Sequence, residues 1–208
     1  MEQSSEEIRQ ALVRQWDLIS GALPSIDVER PSRIEGWRNR EVLAHLSVQP
    51  LLLARFITKA SATLVPEVSL QANLAGTHSL ASMIDAATRE AAEGTNAFTD
   101  NMRAAIPVLG AADLSTTITT FQGPIRLIDY LVTRCVEAVV HGCDITEPIE
   151  PDPTALAMTA AALTSVLASQ HPELLPDVEL LPTRTWVDAA TGRGPVPPGL
   201  QAALPVMT

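Results

Sequence analysis

The chain is short of aromatic residues, cysteine and positive charge, and it has no long apolar run; each shortage removes a class of answer. Phe, Tyr and Trp make up only 3% of the 208 residues, so Ala, Leu, Val and Ile must fill the interior. With 46% hydrophobic and 18% charged residues, the chain suits one main aliphatic core. Against 24 acidic residues stand 14 basic ones, a formal charge of −10. A field of that sign repels phosphate backbones and anionic lipid, which argues against nucleic acid as a partner. An anionic metabolite remains open, provided a metal ion or a few arginines reverse the potential locally. No stretch approaches the roughly 18 unbroken apolar residues of a membrane span. The first residues, Met1-Glu2-Gln3-Ser4-Ser5-Glu6-Glu7, lack the basic region and apolar run of a secretory signal, so the expectation is a cytoplasmic protein that avoids membranes. Cys135 and Cys143 fall in one predicted helix, too far apart for a disulfide and without CxxC spacing, and read as reduced packing residues.

What is present is helical periodicity. Ser4 to Glu7 offers a capped, acid-rich start for a first helix, in which Ile8, Leu12, Trp16 and Ile19 recur at helical steps until Gly21 and Pro24. After a turn-rich stretch, Asn39 is expected to cap a second helix running to about Ala60, kinked at Pro50. A loose segment over 66–77 precedes a third helix over 79–104, weakened by Gly94. Residues 114–121, rich in Thr and Ile, read as a strand or an extended connector. Gly123-Pro124 is expected to open a central fourth helix, a proline-rich linker over 148–153 to close it, and 154–169 to form a fifth, which is either buried within the chain or paired with a second copy. The remainder looks like a short irregular tail with β-prone runs at 178–181 and 185–187.

The chemistry must come from the few polar side chains that interrupt apolar helix faces. Glu137 and His141 stand four apart, about 40° around a helix axis, so both can grip one ion. The spacing also suits an ion pair on a solvated face, but Val136, Ala138, Val139 and Val140 make such a face hard to arrange. Burying an unpaired carboxylate there costs about 3–5 kcal/mol, a cost that a metal ion removes. His45 sits in a similar apolar run, where a core histidine bonded to a carbonyl or to Glu41 is the competing reading. Three N/O ligands with open positions is the pattern of a catalytic site for zinc or a similar ion. Asp144, three residues after His141, is placed to orient a ligand as an outer acceptor, with Glu41 a second candidate for that role.

Two longer stretches carry a resemblance. Residues 31–46 (PSRIEGWRNREVLAHL) and 131–145 (LVTRCVEAVVHGCDI) resemble the two signatures of the mycothiol-dependent maleylpyruvate isomerase family, within the DinB-like superfamily. The resemblance implies a mainly α fold: a DinB-like four-helix bundle with an additional helix over 1–170, and a tail over 171–208 that is at most a remnant of a small C-terminal αβ domain. It implies a divalent metal, zinc by preference, on His45, Glu137 and His141, with mycothiol as cosubstrate and a small electrophile such as maleylpyruvate as substrate. The nucleophile is then a metal-bound thiolate and not a protein side chain. In the isomerase the thiolate adds to an activated double bond, rotation follows, and elimination gives the trans isomer; in the transferase relatives the adduct is released. A faint likeness of 192–198 to an Arg-Gly-Thr-Pro-Pro stretch of that family offers Arg193 for a substrate carboxylate. Two other readings stay open: a non-catalytic metal-binding or regulatory protein on the same scaffold, and a hydrolase using bound water with Glu41 or Asp144 as base. Monomer and homodimer are both compatible with the sequence.

Overall fold

A computed structural model describes residues 4–76, 81–94, 96–147 and 149–207. The first helix, α1 (Ser5–Ala22), begins with a reciprocal cap: the Ser4 hydroxyl accepts from the Glu7 amide at 3.2 Å, and the Glu7 carboxylate accepts from the Ser4 amide at 2.7 Å. Its apolar stripe, Ile8, Leu12, Trp16 and Ile19, is buried as the periodicity predicts. Helix α2 (Asn39–Ile57) continues past Pro50. Asn39 does not cap it, because the cap position falls on Arg38. Instead the Asn39 amide donates to the Asp27 carbonyl at 2.9 Å and accepts from the Thr146 amide at 3.0 Å, tying the start of α2 to the residues just after the fourth predicted helix.

Part of the segment read as loose is a short helix, α3 (Leu70–Ala75), capped by Ser69; Thr77 lies outside the described residues. The single helix expected over 79–104 is two, α4 (Ala81–Ala92) and α5 (Phe98–Ala111), and its expected start at Ser79 lies outside the described residues. The break falls at Gly94, and the Asn96 side chain accepts from the Phe98 amide at 2.8 Å, which favours a fresh start over continuation. Strands β1 (Thr117–Thr120) and β2 (Gly123–Arg126) pair antiparallel, with Thr120 opposite Gly123. Gly123-Pro124 therefore closes a hairpin and does not open a helix. At Gly123 φ is +117°, a conformation that favours glycine. Helix α6 (Leu127–Asp144) follows, then α7 (Pro153–Gln170). Of the linker between them, Pro148 lies outside the described residues.

The tail departs most from expectation. Its two β-prone runs fall largely within α8 (Leu175–Glu179) and α9 (Thr183–Ala190). Local preference for strand loses to packing, since Trp186, Val187 and Ala190 share one helical face and bury it beside α7. The Trp186 indole N–H donates to the Ala160 carbonyl at 3.1 Å. Helices α1, α2, α5 and α6 contribute to one aliphatic core, while Val136 and Val140 of α6 join α3, α7, α9 and the last residues in a second. The fold is mainly α, and α6 contributes to both cores. Cys135 and Cys143 are free and buried. No helix among the described residues is long and apolar enough to cross a membrane.

Candidate metal centre

One face of α6 carries Tyr130, Arg134, Glu137 and His141 at helical spacing, and α2 brings His45 and Gln49 against it. One ligand atom each from His45, Glu137 and His141 lies within 4.8 Å of the others. His45 Nε2 is 3.0 Å from Glu137 Oε2, and His141 Nε2 is 3.4 Å from the same oxygen. Two atoms bound to one zinc ion at about 2.1 Å in tetrahedral geometry lie about 3.4 Å apart, so the spacing suits such an ion. The imidazole rings meet edge to face, with centroids 4.6 Å apart.

Arg134 donates to Gln49 Oε1. A guanidinium only donates, so this bond fixes the Gln49 amide with its NH₂ toward His45 Nε2 at 3.2 Å. The same ring nitrogen therefore faces an amide donor and, 3.0 Å away, a carboxylate. If it carries a proton it serves Glu137 and meets the amide hydrogens head on. Without one it accepts from Gln49 and sets its lone pair against the carboxylate. A cation between His45 and Glu137 removes the repulsion between the ring lone pair and the carboxylate, and the residues present fit a divalent ion.

The titrating groups of the cluster are strongly shifted by burial and by one another. Burial pushes the Glu137 carboxyl up, but the hydrogen bonds from His141 and His45 and the charge of Arg134 outweigh it and hold Glu137 well below the usual range. Burial depresses His45. Burial acts the same way on His141, yet the Asp144 and Glu137 carboxylates dominate and raise it to about 9. Asp144, fully buried, accepts from His141 Nδ1 at 2.9 Å, which turns Nε2 toward Glu137. Burial raises its carboxyl, but His141 and Arg193 bring it down to about 2.

Asp144 therefore sits where an outer acceptor belongs. Glu41 does not: its carboxylate accepts from the Arg38 amide at 2.7 Å and from Arg40 Nε at 2.9 Å, so it caps α2 instead of orienting a ligand. Arg193 is also elsewhere than expected. Its Nε and NH2 groups donate to Asp144 at 3.1 and 3.0 Å and its NH1 to the Thr191 carbonyl, so it braces the back of His141 and does not line the cavity in front of the triad. That cavity, about 330 Å³, is lined by His45 and Glu137 together with Leu52, Ile84, Phe121 and Tyr130. Arg134 and Gln49 line it too, and sequence reasoning passed over both. The available signal was their spacing, Arg134 one turn before Glu137 and Gln49 one turn after His45.

Residues 9–146 match the family described as mycothiol maleylpyruvate isomerase N-terminal domain. The chain belongs to that family. The matched span runs from α1 through α6 and includes His45, Glu137 and His141, while Arg193 falls beyond it. No curated protein matches the chain. Among solved structures, a mycothiol-dependent maleylpyruvate isomerase is similar with a TM-score of 0.61 and 16% identity, over 92% of this chain and 90% of that one. A histidine-to-alanine mutant of a mycothiol-dependent maleylpyruvate isomerase is similar with a TM-score of 0.53 and 19% identity, over 81% of this chain and 72% of that one. At these identities the likeness is one of fold.

Proposed function

We propose that this chain is a divalent-metal-dependent isomerase or S-transferase that joins mycothiol to a small electrophile. The observation that carries the reading is the convergence of His45, Glu137 and His141, with His45 and Glu137 also lining a largely apolar cavity. A divalent ion held there, zinc by preference, would lower the pKa of a thiol brought to it and so make a thiolate available at neutral pH.

The chain's own residues do the rest. His45, Glu137 and His141 hold the ion, and Asp144 keeps His141 in the orientation that offers Nε2. Leu52, Ile84 and Phe121 make the cavity wall apolar, which limits competition from water. Neither cysteine supplies the nucleophile: burial pushes the Cys135 thiol up to about 12 and the Cys143 thiol up to about 11. Hydrolysis is the weaker reading, because its candidate bases are engaged elsewhere, Glu41 in the cap of α2 and Asp144 in a buried pair with Arg193. Isomerisation and transfer differ in whether the thiol adduct eliminates or leaves, so one site serves both. Calorimetric titration of mycothiol into zinc-loaded protein is the test. Binding that disappears on chelation and in Glu137→Ala supports the reading, and equal binding with and without metal, or none in either state, overturns it.

A further inference from the structure

Arg134 is 8% exposed, and no carboxylate among the described residues lies within ion-pair distance of it. Its hydrogen-bond partners are neutral. NH1 donates to Gln49, Nε and NH2 each donate to the Thr133 hydroxyl at 3.2 Å, and the guanidinium lies 4.5 Å from the centre of the Tyr130 ring. Glu137, one turn further along α6, is the charge it feels, but that carboxylate is occupied with His45 and His141. Burying a cation among neutral groups is costly unless an anion joins it. These three bonds leave two of the five guanidinium N–H groups without an acceptor among the described residues, and Arg134 lines the cavity. It is the one guanidinium or ammonium among the described lining residues, in a protein whose net charge is −10.

We propose that Arg134 is the carboxylate-binding group of this cavity, and that the electrophile is an amphipathic monocarboxylate with its charge on Arg134 and its body against Leu52, Ile84 and Phe121. The inference rests on the thiol-transfer reading for the reaction, though not for the binding. Arg134 and Glu137 stand three residues apart on α6 and both line the cavity, so a carboxylate on Arg134 keeps the rest of the molecule in the space that Glu137 borders, where an activated thiol would meet it. A substrate with two carboxylates, as maleylpyruvate has, would bring a second charge for which the described lining holds no second guanidinium or ammonium. The lone lining cation thus favours a monocarboxylate over maleylpyruvate.

The test uses three probes, cinnamate, its neutral analogue cinnamamide, and the dicarboxylate maleate, titrated into zinc-loaded and zinc-stripped protein. Cinnamate is expected to bind at least about tenfold tighter than cinnamamide in both metal states, as one charge-assisted contact implies. Arg134→Met erases that preference in zinc-stripped as well as zinc-loaded protein, and Arg134→Lys keeps part of it. Equal binding of acid and amide to the wild type overturns the proposal, and this comparison needs no variant to fold. So does a preference that disappears when zinc is stripped, which would make the ion the anion site, and so does tighter binding of maleate than of cinnamate. If mycothiol fails to bind while the acid preference persists, the thiol reading falls and the Arg134 site stands.

Discussion

Zinc binding should release close to one proton per ion at pH 7, and the proton comes from His141. The neighbouring carboxylates outweigh burial and raise His141 to about 9, so at pH 7 the metal-free ring is almost entirely protonated. Glu137 is already ionised, and burial keeps His45 neutral, so neither contributes. Displacing a proton two pH units below its pKa weakens binding about 100-fold, or about 2.7 kcal/mol. Affinity should therefore rise about tenfold per pH unit from pH 7 to near 9 and then level off. Calorimetry in buffers of different ionisation enthalpy counts the protons directly. The sign for the metal-free fold is opposite: a raised His141 stabilises it fully below about pH 6.5, and that contribution is lost as pH rises through about 9. Asp144→Asn separates two effects. Losing the anion lowers His141, so proton release falls and the pH slope flattens. At pH 9.5, where proton competition has gone, the lost orienting bond leaves zinc binding 10–100-fold weaker, about 1.4–2.7 kcal/mol. Proton release near zero, with affinity flat from pH 7 to 9, would refute this account of the charges around His141.

Asp152 accepts from the Ala155 amide at 2.9 Å at the start of α7 and from Arg14 Nε at 2.7 Å, so Asp152→Ala should cost about 1–2 kcal/mol in urea unfolding. Burial raises the Asp152 carboxyl, but Arg14 and the α7 amide outweigh it, so its stabilisation is present above about pH 4 and lost as pH falls through the depressed value. Asp152→Asn, which keeps the cap, should lose less than Asp152→Ala. Trp186→Ala should cost about 3–5 kcal/mol, because the indole is 2% exposed in the core that α9 shares with α6 and α7. A change under about 1 kcal/mol would mean that the C-terminal segment is a loose appendage. Cys135 and Cys143 should resist iodoacetamide at pH 8 in the folded protein and react after unfolding, as mass spectrometry will show.

The legible parts of the sequence were those written in period and composition. The α1 stripe and the Glu137–His141 step declare themselves because an apolar helix face tolerates few polar residues without a reason. Features governed by long-range contact were not legible. Asn39 looks like a cap until Asp27 and Thr146 are seen to hold its side chain. Gly123-Pro124 reads as a helix start, but the residues that pair across it make it a hairpin. The tail's β-branched and apolar runs resemble strands, and the surface that α7 presents to Trp186 and Ala190 makes them helical. The likeness around 192–198 offers Arg193 for a substrate carboxylate, whereas in the fold it bonds Asp144 behind His141, a long-range contact that the sequence does not reveal. Arg134 went unremarked since an arginine in a helix is ordinary until it is found buried beside a cavity.

The most direct test of the central claim is the metal content of purified protein by inductively coupled plasma mass spectrometry, wild type beside His45→Ala, Glu137→Ala and the double variant. The account predicts about one divalent ion per wild-type chain and loss of that ion in each variant, with the helical circular dichroism retained. A well-folded wild type that holds no divalent ion even after zinc is supplied would contradict it.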